Sequence, residues 1–144
     1  MKEDRSGDLH IPAIVTVGEA GEGFNVANLL LSSKKKKRKD FNELFFGEDG
    51  RKIEDSGKIK ILEGVRWSPS SMNSQPTRVI WEGNQVHFFC KEGGMNVHYI
   101  DVGIAMSHFF LRASQAGLKG KWTKIRHHPK AKGRYVATFM IENE

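Results

Sequence analysis

Apolar and polar positions along this chain change period several times, and each change marks an element. Residues 11–18 (Ile-Pro-Ala-Ile-Val-Thr-Val-Gly) are short, β-branched and apolar, the pattern of a buried strand, with Pro12 at its start or at an edge. A short helix is expected over residues 25–31. A second runs from Asp40 to Phe46, with Asp40 as its N-cap and Gly47 ending it. A third starts at Asp55 or Ser56: Ile59, Leu62 and Val65 recur at helical spacing with Ile61 beside them. Ser68-Pro69 stops that helix, because proline disfavours α geometry in the residue before it. Val79 and Trp81 alternate with Arg78 and Ile80, and Val86, Phe88 and Cys90 alternate with His87 and Phe89, so residues 77–81 and 85–91 form a hairpin around Glu82-Gly83-Asn84. Residues 98–116 make the longest helix. Val102, Ile104, Met106, Phe109, Phe110, Leu111 and Ala113 leave it little polar surface, so burial nearly all round is expected, with Gly117 as its C′ residue. Two further strands, residues 121–126 and 135–142, flank a basic turn. The sum is an α+β fold, helices packed on a mixed or antiparallel sheet.

Composition narrows the class. A chain of 144 residues with 38% hydrophobic content builds one core. It holds no run of about 18 apolar residues of the kind that spans a membrane, and its first residues are charged, unlike a signal peptide. The single cysteine, Cys90, excludes an internal disulfide and suits a reducing, cytoplasmic setting. Net charge is +6, and six of the 23 basic residues lie in one run: Lys34, Lys35, Lys36, Lys37, Arg38 and Lys39. The remaining 17 equal the 17 acidic residues, which argues against a broad nucleic-acid footprint. A like-charge block of this kind reads as a solvated, mobile linker; the alternative is a small basic module that binds nucleic acid or another polyanion through Lys34 to Lys39.

Several patterns carry little chemistry. The glycines of residues 18–23 follow a strand as a phosphate loop would, but fit neither phosphate-binding spacing, and Glu19 and Glu22 would repel a phosphate. His127-His128 and one cysteine make no metal site, and no GxSxG marks a hydrolase. His108 reads as a hydrogen-bonded core residue.

The stretch between helix and hairpin is different. In residues 68–76, Ser-Pro-Ser-Ser-Met-Asn-Ser-Gln-Pro, two prolines bracket a set of hydroxyls and amides, and Ser68 and Gln75 are expected to be extended as the residues before them. Such groups donate and accept without charge, which suits the rim of a flat, heteroatom-rich ring. The stretch resembles the flavin-contacting loop of the FMN-dependent nitroreductases. The likeness continues through residues 100–109 (Ile-Asp-Val-Gly-Ile-Ala-Met-Ser-His-Phe) and 116–122 (Ala-Gly-Leu-Lys-Gly-Lys-Trp), and covers about the last two-thirds of the chain. It is nearest to the C-terminal half of the Thermotoga-type nitroreductases.

That resemblance implies a nitroreductase-like α+β fold in which FMN, reduced by NAD(P)H, passes reducing equivalents to a nitroaromatic, quinone or similar small acceptor. Carried over by position, Pro69, Ser70 and Ser71 line one edge of the isoalloxazine, with Asn73 and Gln75 fixing the loop or meeting the ring's edge. No side chain there is a required acid or base. The family's site lies at a dimer or pseudo-dimer interface, which implies a homodimer or a complementary nitroreductase half. The family's aromatic after Gln-Pro is Thr77 here, and its Arg-Arg-Ser-type phosphate motif has no counterpart. The chain is therefore expected to be the C-terminal portion of a longer enzyme, with residues 1–50 supplying a strand, basic linker and short helix and residues 51–144 the nitroreductase-like domain. Alone, it is expected to hold FMN weakly.

Overall fold

The computed structural model describes residues 37–92 and 97–142, all within one compact unit. The strand expected at residues 11–18, the helix at 25–31 and Lys34, Lys35 and Lys36 lie outside the described residues.

The helix expected from Asp40 to Phe46 is shorter. It forms α1, Phe41–Leu44, started where the Asp40 N–H donates to Glu43 Oε1 at 3.3 Å. Phe45 turns extended, and Phe45–Phe46 becomes β1, parallel to the next strand with Phe45 opposite Val79 and Phe46 opposite Ile80. Two aromatics favour a half-buried pleated site over one more helical turn when a strand is there to receive them. β1 thus lies before residue 50 and pairs with a strand from beyond it.

Helix α2, Ser56–Arg66, begins as expected: Asp55 caps it, its carboxylate accepting the Lys58 N–H at 2.8 Å. Strands β2 (Thr77–Glu82) and β3 (Gln85–Cys90) are antiparallel, closed by a two-residue turn with Gly83 at φ +51, the first turn position, where a type II′ turn takes glycine. Helix α3 spans Val97–Gln115, and β4 (Gly120–Thr123) and β5 (Arg134–Ile141) complete a five-stranded sheet of order β1-β2-β3-β5-β4. Only the β1–β2 pair is parallel, so the sheet is mixed and the fold α+β.

Alternation along the strands sorts side chains onto two faces. Val79, Trp81, Val86, Phe88 and Phe139 point to the face carrying α2 and α3, where they meet Leu62, Val65, Val102, Ala105 and Phe109. Phe109 is the hub: its ring meets those of Trp81, Phe88, Trp122 and Phe139 edge to face at centroid distances of 5.3–6.0 Å. The two helices approach so closely that a Cβ on Gly64 would lie 2.5 Å from Arg112 Cγ. Helix α3 is not buried all round, as its composition had implied. Val102, Ala105, Phe109 and Ala113 are buried, whereas Tyr99, Ile100, Phe110 and Leu111 are exposed and His108 is half-buried, because one small sheet covers only one stripe of a 19-residue helix.

On the opposite face Ile80, His87, Phe89 and Thr138 are buried. The connection between β4 and β5 covers part of it: the His128 ring stacks on Tyr135 at 4.0 Å, and the Ile125 N–H donates to Tyr135 Oη at 3.1 Å. Tyr135 Oη meets Thr138 Oγ1 at 2.7 Å, and Thr138 Oγ1 meets His87 Nδ1 at 2.9 Å. Tyr135 Oη can accept from both the Ile125 N–H and the Thr138 hydroxyl, so these contacts fit His87 with its proton on either Nδ1 or Nε2. That Nε2 has no hydrogen-bond partner among the described residues; Glu82 Oε2 lies 3.9 Å away.

Two predictions follow from this packing. Phe109→Ala removes the hub and should cost about 3–5 kcal/mol in chemical denaturation. Burial, and secondarily the charge of His128, pushes the His87 pKa down to about 4. The unfolded chain then binds the extra proton between about pH 6.5 and 4, so His87 should make stability fall as pH drops through that window, by up to about 1.4 kcal/mol per pH unit. Glu82, held above the usual carboxylate range by burial and by Asp49 and Glu48, acts in the opposite sense. Denaturation midpoints measured against pH should lose the His87 component in His87→Gln; an unaltered slope would contradict it.

Candidate functional site

The polar loop sits where α2 ends. Ser68 Oγ donates to Val65 O at 2.7 Å, closing the last turn, and Pro69 emerges into solvent. A single 3-10 turn follows, Ser71–Asn73. Met72, Asn73 and Gln75 all have left-handed backbone, at φ 51, 55 and 48. Gln75 is thus not extended, although a proline follows it. Non-glycine residues in this region cost about 1–3 kcal/mol each unless their surroundings over-determine them.

The surroundings do so through hydrogen bonds. Asp101 on α3, 4% exposed, accepts the Ser71 N–H at 2.9 Å and, less closely, the Ser74 hydroxyl at 3.5 Å. Ser70 Oγ accepts the Gln75 N–H at 3.0 Å. The Gln75 amide, itself buried, works in both directions: Oε1 accepts the Lys39 N–H at 2.8 Å, while Nε2 donates to Asn73 O at 3.2 Å and to Lys37 O at 3.3 Å. Asn73 Nδ2 also donates to Lys37 O, at 3.2 Å.

The described part of the basic run is therefore not a solvated linker. Residues 37–39 lie along the loop as a strap. Arg38 donates to Ser68 O at 3.0 Å and Trp67 O at 3.1 Å, with its guanidinium 5.6 Å from the Trp67 ring centroid. Lys39 Nζ donates to Ser74 O at 3.1 Å, and Arg66 Nε donates to Lys39 O at 2.8 Å. The reason is local: carbonyls past a helix end lack intrahelical donors, and the neighbouring cations supply them. Burial lowers the pKa of both Arg38 and Lys39 from the usual value.

The five residues singled out from the sequence fall into two groups. Asn73 and Gln75 are committed to the strap and to one another. Pro69, Ser71 and Met72, the last 81% exposed, are on the open side, while Ser70 is half-buried with its Oγ accepting the Gln75 N–H, which leaves only its O–H to donate. The cavity beneath, lined by Ser68, Ser70, Gln75 and Asp101 among others, is about 10 Å³, room for one water and no more. A ring-sized ligand has room only on the outside of the loop. There the Ser70 and Ser71 hydroxyls and the apolar Met72 side chain fit a ring with a polar edge and an apolar face. Of the arginines beside the loop, Arg38 and Arg66 donate to backbone carbonyls, and Arg78 donates Nη1 to Gln75 O and Thr77 O. Asp101, Arg38 and Met72 were not singled out from the sequence. Asp101 offered one signal, a lone carboxylate on the core-facing stripe of an otherwise apolar helix.

Beside the loop, the exposed side of α3 carries Ile100, Gly103, Ser107, Phe110 and Leu111 at intervals of three and four, and a depression of about 440 Å³ lies between Met106, Phe110, Leu111 and Trp122. Small residues flanked by large apolar ones allow close approach by another helix.

Comparison with known proteins gives one match. The sequence model of the family described as "Putative TM nitroreductase" matches residues 1–113. The match takes in the N-terminal third of the chain, which the resemblance of the loop and long helix had left out, and stops before residues 116–122. No curated protein and no solved structure matches the chain.

Asp101→Ala removes the acceptor for the half-buried Ser71 N–H and should destabilise the protein by about 1–3 kcal/mol. The loss should be local: in hydrogen exchange the Ser71 and Gln75 amides should deprotect well before the β2–β3 ladder. Uniform loss of protection, or none, would show that Asp101 does not hold the loop.

Proposed function

As this chain belongs to the TM nitroreductase family, we propose that it is an FMN-dependent oxidoreductase that passes reducing equivalents from NAD(P)H to a nitroaromatic, quinone or similar small acceptor. The observation that carries the proposal is the loop itself: an exposed methionine flanked by half-buried Ser70 and Ser71, on backbone held by Asp101 from below, by Gln75 from the side and by Ser70 Oγ from within. Rigid presentation of polar groups is what a site needs in order to orient a ring without reorganising.

FMN supplies the hydride chemistry when bound, and the protein supplies position. The Ser71 hydroxyl and the O–H of Ser70 would hydrogen-bond the heteroatom edge of the ring, and Met72 would lie against its apolar surface. Asn73 and Gln75 act one layer back by holding the strap, and Asp101 fixes the loop to α3 so that ring and helix keep one distance. Pro69 restricts the approach of the chain to Ser70.

The exposed face of α3 supports a homodimer, with a second copy of the helix packed over Gly103 and Ser107 between Ile100, Phe110 and Leu111. That contact would place two loops near one interface. We place the protein in the cytoplasm, on its single cysteine; no helix among the described residues is long and apolar enough to cross a membrane.

Titration of flavin fluorescence tests the assignment. Each lost hydrogen bond is worth about 1 kcal/mol, so Ser71→Ala alone should raise the FMN Kd roughly fivefold with an unchanged circular dichroism spectrum, and adding Ser70→Ala, which also removes the acceptor of the Gln75 N–H, should raise it further. An affinity equal to that of the unaltered protein would remove Ser70 and Ser71 from the site.

A further inference from the structure

The face of the sheet away from α2 and α3 carries a second concavity, of about 680 Å³, with Arg78, Ile80 and Glu82 of β2 along its wall. These residues alternate, so they follow one another at about 6.6 Å along the strand. Ile80 and Phe46 give an apolar centre, and Lys91, Lys130 and Lys132 rise around it. The volume is that of a small-molecule site.

Arg78 is the anchor of this groove. It is half-buried, and its Nη1 donates to Gln75 O at 3.0 Å and Thr77 O at 2.8 Å. These two carbonyls fix the guanidinium, while Nε and Nη2 have no hydrogen-bond partner among the described residues. No carboxylate lies within ion-pairing distance of Arg78, Lys91, Lys130 or Lys132 among the described residues. Burial lowers the Arg78 pKa from the usual value, while the carboxylate of Glu43, which also lines the groove, acts in the opposite sense. At the other end Glu82 and Asp49 are negative. A fixed guanidinium with an open edge is suited to a planar oxyanion, and the acidic far end disfavours a second anionic group there.

We propose that this groove binds a small amphipathic monoacid, with its carboxylate on Arg78 and its aromatic or short aliphatic body over Ile80 and Phe46. The carboxylate takes the open guanidinium edge, and Lys91 and Lys132 add field rather than geometry. Glu82 and Asp49 set the length by repelling dicarboxylates that reach the far end. No residue of the loop lines the groove; the two meet at Gln75 O, which accepts from Arg78 Nη1.

Isothermal titration with 4-phenylbutyrate, and with 4-phenylbutyramide as its neutral counterpart, tests the proposal on the full chain. The acid should bind at least tenfold more tightly than the amide, and its affinity should fall as salt is raised. Amide shifts in an NMR titration should centre on Phe46, Ile80 and Lys91. Lys91→Gln combined with Lys132→Gln, two side chains outside any described hydrogen bond, should weaken the acid at least threefold without altering the melting temperature. Arg78→Lys should weaken it further. Absence of binding, equal binding of acid and amide, or shifts confined to the exposed face of α3 would overturn the proposal.

Discussion

Three non-glycine residues with left-handed backbone within four positions do not hold that shape by themselves. At Met72, Asn73 and Gln75 the strain is of the order of 1–3 kcal/mol per residue, comparable with a sizeable part of a small domain's whole stability. The loop keeps its form because a buried carboxylate on one side and a buried amide on the other saturate its backbone. Asp101 reaches from α3 to the Ser71 N–H, and Gln75 exchanges hydrogen bonds with residues 37–39. An apolar residue at either place would leave donors and acceptors unpaired in a low-dielectric setting, where each costs most. The open side of the loop is free for a ligand only because its closed side is spent.

Helix α3 links this loop to the rest of the molecule. Phe109 plants the helix in the aromatic core, while Asp101, two turns earlier, places the loop. The core thus sets where Ser70 and Ser71 stand, and the same helix turns Ile100, Phe110 and Leu111 outward. Sheet, loop and outward apolar face share one support, an arrangement that holds the loop in a fixed position.

Period alone made much of this fold legible. The β2–β3 alternation, the stripe of Leu62 and Val65 on α2, and the α+β order each follow from which positions must be buried. Phe45–Phe46 was not legible, since a two-residue parallel strand exists only because β2 lies beside it, and nothing local distinguishes it from a last helical turn. The exposed side of α3 was misjudged for a related reason: apolarity says that a surface seeks cover and does not say whether the same chain provides it. In the candidate site, Pro69, Ser70, Ser71, Asn73 and Gln75 were found by their pattern, but the division of labour among them depends on long-range partners. Residues 37–39 read as solvated because charge blocks usually are, whereas here the carbonyls at the end of α2 give Arg38 and Lys39 something to hold.

The central claim is that the serines face the ligand while the two amides hold the strap. A crystal structure of the protein with FMN bound tests it most directly. The account predicts the ring edge at hydrogen-bond distance, about 2.6–3.2 Å, from the Ser70 and Ser71 hydroxyls, with Gln75 Oε1 still accepting the Lys39 N–H. A ring bonded to the Asn73 and Gln75 side chains, with residues 37–39 lifted away, would contradict it.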